Sequence, residues 1–119
     1  MESLYKNLLV WQKSISLVSD IYRFTKDYPK SELYALTSQT RRSAVSIPSN
    51  VSEGSQRGTR RDFAHFIDIA KGSTAELETQ LIIARNLDYL QDSETFENAI
   101  SKLLEVRRML SGLKKSLQS

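Results

Sequence analysis

Between Gln39 and Gln56 the chain reads QTRRSAVSIPSNVSEGSQ, a run dense in groups that donate and accept hydrogen bonds. At helical spacing Gln39, Ser43, Ser46, Asn50 and Glu53 fall on one line. That line lies one residue ahead of a seam formed by Leu36, Thr40, Ala44, Ile47, Val51 and Gly54. A polar line beside a core seam is partly buried, and buried polar groups need partners. Generic surface helices carry Lys and Glu there instead. This helix is therefore built for specific polar contacts, inside its own bundle or with another copy of itself. Arg41 and Arg42 adjoin the line, and Glu76 and Gln80 occupy comparable polar positions later in the chain, so all four join it as interface or structural candidates.

Catalytic chemistry finds less support in the same residues. Asp62-x-x-His65 has half of a di-iron pattern, but such a site takes carboxylates from four helices and two histidines, and His65 is the only histidine. No metal is expected, and His65 reads as a surface or interface residue. The serines have no spare histidine as a base. Glu53-Gly54-Ser55 follows a helix rather than a strand and is too short for a phosphate loop. Glu53 with Glu76 has the makings of a carboxylate acid–base pair. With Gln80, however, they lie on polar stripes where backbone groups or arginines can take them. The expectation is a protein without catalysis and without a cofactor.

Charge supplies the other clue. The formal net charge is +3, yet residues 41–61 and residues 102–115 each carry +4 and the remainder −5. Lys114 and Lys115 suit a helix C-terminus, whereas Arg60 and Arg61 at a helix start oppose its dipole. Arg57, Arg60, Arg61, Arg107, Arg108, Lys114 and Lys115 are accordingly candidate contacts to RNA or DNA. Aromatic residues are not interleaved with them, since Phe63 alone is near and belongs to a core seam, so base stacking is not indicated.

These residues must be positioned by helices. At 119 residues the chain is read as one domain, 1–119, long enough to bury its own core. It has no cysteine and no apolar run long enough for a membrane span, which points to a cytoplasmic protein without membrane contact. The first helix is expected from about Asn7 to Asp27, with one seam of Leu8, Trp11, Ile15, Val18 and Tyr22. Its second seam is Leu17, Ile21, Phe24 and Tyr28, and Tyr28-Pro29 ends it. Ser31 is the expected cap of a second helix that reaches about Gly54 and is kinked at Pro48. Thr59 with Asp62 opens a third helix that continues to about Tyr89. Ser93 is expected to cap a fourth, whose seam is Phe96, Ala99, Leu103, Val106, Leu110, Leu113 and Leu117.

Short connections between long helices make an all-α, antiparallel up-down-up-down four-helix bundle. Both basic segments should then share one pole, with Asp27, Glu32, Asp88, Asp92, Glu94 and Glu97 at the other. Two apolar seams on the first helix exceed what one bundle core needs, which predicts a homo-oligomer.

A family resemblance rests on residues spread over nearly the whole chain. They are Trp11, Tyr22, Pro29-x-x-Glu32, Gln39 with Arg41-Arg42, Ser46-Ile47-x-x-Asn50-Val51-x-Glu53-Gly54, Phe63 and Gly72-Ser73-x-x-Glu76-Leu77-Glu78-x-Gln80-Leu81. With these the chain resembles the bacterial four-helix-bundle family of 23S rRNA intervening-sequence proteins. The resemblance implies a small antiparallel bundle, a ring-like homopentamer and no catalysis. The accessory variability proteins of diversity-generating retroelements are similar in fold and bind a reverse transcriptase and nucleic acid. A nucleoprotein or reverse transcriptase thus joins the expected partners. Those proteins are much more basic, and this chain departs from them at +3.

Overall fold

The computed structural model describes residues 4–119. A 3₁₀ turn at Leu4–Asn7 leads into α1 (Leu9–Thr25), and a second 3₁₀ turn at Lys30–Glu32 precedes α2 (Leu36–Ser55). Then come α3 (Arg60–Asn86) and α4 (Ser93–Gln118). Each long helix packs on two neighbours, α1 and α3 both lying against α2 and α4, with no diagonal packing among the described residues. This is the expected four-helix bundle, 43 Å long and 23 by 20 Å across.

The apolar seams account for the core. Leu17 and Ile21 of α1, Ile47 and Val51 of α2, Leu77 and Leu81 of α3, and Leu103, Val106 and Leu110 of α4 are fully buried. The second α1 seam does most of this work, while Leu8, Trp11 and Val18 of the first are half-buried against the core. Val10, Ser14 and Thr25 join Leu17 and Ile21 inside, while Ile15 and Tyr22 are exposed. Ser14 and Thr25 tolerate burial because their hydroxyls donate to the Trp11 and Ile21 carbonyls at 2.8 and 2.6 Å.

Three helix ends differ from the sequence expectation. Ser31 is not the cap of α2, which begins five residues later; Ala35 precedes it and offers no side-chain bond. The 3₁₀ turn after Pro29 brings Glu32 within one helical step, and its Oε1 accepts from the Leu36 amide at 3.2 Å. The other carboxylate oxygen takes the Tyr89 hydroxyl at 2.9 Å, which ties the start of α2 to the end of α3. α3 stops at Asn86 rather than Tyr89, because Asp88 adopts φ 63° and turns the chain back so that the Tyr89 amide bonds the Ala84 carbonyl. At α4 the flanking residue is Asp92, with Ser93 already helical; Thr95 Oγ1 donates to Asp92 Oδ2 at 2.6 Å. That bond holds the Asp92 carboxyl below the usual range.

In the middle segment the second helix is continuous and the third opens at the expected cap. α2 runs unbroken through the buried Pro48, which leaves the Ala44 carbonyl without its helical donor. Thr59 Oγ1 accepts from the Asp62 amide at 3.1 Å and opens α3. Between the two helices Gly58 takes φ 93°, a left-handed turn that suits glycine.

Candidate functional site

The polar line of α2 faces α3. Ser46 and Ser73 share a hydroxyl hydrogen bond at 2.8 Å, and Asn50 Nδ2 donates to the Ser46 carbonyl and hydroxyl at 2.8 and 2.9 Å. The middle of the line is thus satisfied within the chain, and Ser43 is buried beside it. Its ends are not. Gln39, Arg42 and Glu76 are exposed, and with Ser43, Ser46 and Gln80 they line a groove of about 360 Å³ between α2 and α3. Gln80 Oε1 is buried there without a hydrogen-bond donor among the described residues.

One turn beyond Asn50 the two helices approach closely at Gly54. A Cβ on Gly54 would meet Phe66 Cβ at 2.7 Å and Phe63 Cδ1 at 3.0 Å. Gly54 therefore sets the α2–α3 spacing at this end. Its neighbour Glu53 is exposed and pairs with Arg57 at 2.8 Å. Glu53 and Glu76 do not form a carboxylate pair: with Ser46 opposite Ser73, Glu76 falls ten residues along from Glu53, about 15 Å at 1.5 Å per residue. Asp62 and His65 share one face of α3, and no cluster of three or more His, Asp or Glu side chains forms among the described residues. The His65 ring meets the edge of Phe66 at 5.6 Å.

The arginines beside the line part company. Arg41 is held inside the chain, its Nε donating to Thr25 Oγ1 at 2.9 Å and its guanidinium stacked 4.7 Å over Tyr22. Arg42 is exposed and has no ion pair among the described residues. Sequence reasoning did not single out what lies next to it. Tyr22, Leu33, Tyr34 and Val45 are exposed and border a groove of about 530 Å³ between α1 and α2, with Tyr34 93% exposed. Tyr22 was placed in the first α1 seam, whereas Leu33, Tyr34 and Val45 belong to no seam, and that was the available signal.

The seven basic candidates also divide. Arg57 lies over Phe66 at 4.8 Å as well as on Glu53. Arg107 sits at mid-bundle, its Nε donating to Thr74 Oγ1 at 3.0 Å and its other nitrogen to Glu78 at 2.8 Å. Lys114 pairs with Asp68 at 2.7 Å. Arg60, Arg61, Arg108 and Lys115 are exposed and have no ion pair among the described residues. Arg60 and Arg61 border a groove with His65, Asp68, Leu117 and Gln118, so the start of α3 and the end of α4 do meet at one pole. The segment 102–115 spans about 20 Å of helix, so only its last turn reaches that pole. Lys102 reaches Asp20 and Ser16 of α1 instead.

No helix among the described residues is long and apolar enough to cross a membrane. A family model described as 23S rRNA-intervening sequence protein matches residues 6–112. The chain is also similar to the crystal structure of a protein with unknown function from the S23 ribosomal protein family of Bacteroides thetaiotaomicron VPI-5482. The two are 25% identical with a TM-score of 0.80, over 90% of this chain and 99% of that one. No curated protein matches.

Proposed function

This chain belongs to the 23S rRNA-intervening sequence protein family, and on that premise we propose that it is a non-catalytic, homo-oligomeric scaffold that contacts RNA or a nucleoprotein through its basic pole. The observation that carries the reading is the pair Arg60 and Arg61. They stand exposed at the N-terminus of α3, where cations oppose the helix dipole, and no carboxylate neutralises them among the described residues. Thr59 and Asp62 already supply the local helix-start chemistry, so the two arginines are not needed for the fold. Repetition of the pole around an oligomer, five copies by the family resemblance, multiplies each weak phosphate contact.

Fluorescence anisotropy with labelled single-stranded RNA and duplex DNA tests this. Binding should weaken steeply as salt rises, because each neutralised phosphate releases counterions. Arg60→Ala with Arg61→Ala should remove most of the binding and leave the circular dichroism spectrum unchanged. A wild type that binds neither nucleic acid at low salt overturns the reading. The chain is then a protein-binding adaptor, a role supported by the exposed Tyr34 and Leu33 beside Arg42.

A further inference from the structure

The bundle has two unlike sides. Four ion pairs join α4 to its neighbours: Lys13–Glu105 and Lys102–Asp20 to α1, Arg107–Glu78 and Lys114–Asp68 to α3. Among the described residues none crosses the α1–α2 or the α2–α3 groove; the remaining pairs, Arg23–Asp20 and Arg57–Glu53, lie within one helix. The side centred on α4 is thus cross-linked by charge, with Leu104 exposed among the pairs. The side centred on α2 instead exposes large apolar side chains on both flanks.

Those flanks are complementary. On one, Tyr22, Leu33, Tyr34 and Val45 border the α1–α2 groove, whose charged members are Arg41 and Arg42 with no acidic residue. On the other, Ile69, Glu76 and Ile83 of α3 and Leu87 just past its end follow one stripe at spacings of seven, seven and four. The three apolar residues of that stripe are 40 to 50% exposed. It carries one carboxylate and no Lys or Arg. Glu76 and Arg42 line the same α2–α3 groove yet form no ion pair with each other. Arg42 stands between the two grooves and Glu76 on the α3 stripe, and neither has an ion-pair partner among the described residues. From Ile69 to Leu87 the stripe runs about 27 Å at 1.5 Å per residue, more than half of the 43 Å bundle length.

We propose that the α3 stripe of one copy seats in the α1–α2 groove of the next, with Glu76 meeting Arg42 of that next copy. The inference rests on the homo-oligomeric reading above and assigns its contact surface. Stripe and groove flank α2 on different sides, so every copy gives one and receives one. Such a head-to-tail contact does not stop at a two-fold dimer, and it forms a ring where the rotation between copies closes. Buried Gln80 Oε1, beside Glu76, lies where the incoming surface can supply its missing donor.

Sedimentation velocity on the full chain, with circular dichroism to confirm folding, tests the assignment. Wild type should run as a multiple of 13.6 kDa. Tyr34→Glu spoils the groove and Ile83→Glu spoils the stripe, and each should dissociate the ring. Their mixture retains one good groove and one good stripe, so it should give a one-to-one complex of two chains. Arg42→Glu and Glu76→Arg should each weaken assembly, and together restore it. A monomeric wild type overturns the homo-oligomeric reading and this inference with it. An oligomer whose mass none of the four substitutions changes overturns this inference alone. Dissociation by both single variants without recombination in the mixture overturns the stripe-in-groove arrangement. So does a Tyr34→Glu protein that keeps its mass but loses RNA in anisotropy, which would make the groove a nucleic-acid site.

Discussion

At Gly54 a single missing carbon sets how near α2 and α3 approach. Alanine in a helix interior normally stabilises by about 0.5–1 kcal/mol over glycine. Here its Cβ would sit 2.7 Å from Phe66 Cβ, so the sign reverses. Gly54→Ala should destabilise by about 1–3 kcal/mol, the usual range for overpacking, in a urea melt. Tyr28 presents the opposite case. Its ring packs beside Tyr89 at 5.9 Å, but its buried hydroxyl has no partner among the described residues, and burial pushes its pKa up to about 12. The folded state therefore holds this proton more tightly than the unfolded chain. The stability tied to it is complete below pH 10 and is lost as pH rises from 10 through 12. Tyr28→Phe should match or exceed wild type by about 1 kcal/mol at pH 8, since an unmet hydroxyl is removed. In thermal melts its loss of stability between pH 10 and 12 should be shallower than wild type's.

Among elements, α2 depends on groups outside itself. Its first amide is met by Glu32 from the preceding turn, and Glu32 is steadied by Tyr89 from beyond α3. Glu32→Ala should fray that end, seen as faster hydrogen exchange at the Leu36 amide with protection in the middle of α3 unchanged. α4 is tied down from its side chains. Arg107 bridges to Thr74 and Glu78 across the α3–α4 groove, with about a third of the pair's side-chain surface exposed. Arg107→Met should cost about 1 kcal/mol, the upper range for a half-exposed pair, and leave RNA anisotropy unchanged. Loss of RNA binding in that variant would return Arg107 to the nucleic-acid surface.

For the whole molecule, the two kinds of contact proposed for it differ in salt response. Phosphate contacts at Arg60 and Arg61 act through screened charge, whereas the α2-centred face buries apolar groups around a single charge pair. At about 1 M salt, where the Debye length is near 3 Å, nucleic acid should dissociate while the sedimenting mass stays. A mass that collapses in step with RNA release would mean that one electrostatic surface serves both.

Much of this architecture was legible in the chain. The seams of α2 and α4, the Thr59 start and the bundle class follow from periodicity, because a helix has one period and a short loop leaves its neighbour one direction. The polar line was legible for the same reason, and its hydroxyl contacts with α3 are those that buried polar groups require. Other features depended on distance between residues remote in sequence. Glu32 replaces Ser31 as the cap because a 3₁₀ turn changes its reach, and Arg107 leaves the basic pole because Thr74 and Glu78 stand opposite it. The apolar groove at Tyr34 has no period to announce it, since its residues come from α1, a turn and α2. Charge and pattern are properties of a sequence, and they determined the fold class and where cations could gather. Which charges are already neutralised, and which apolar side chains remain uncovered, depends on what packing places within a few ångströms, and that was decided by the tertiary structure.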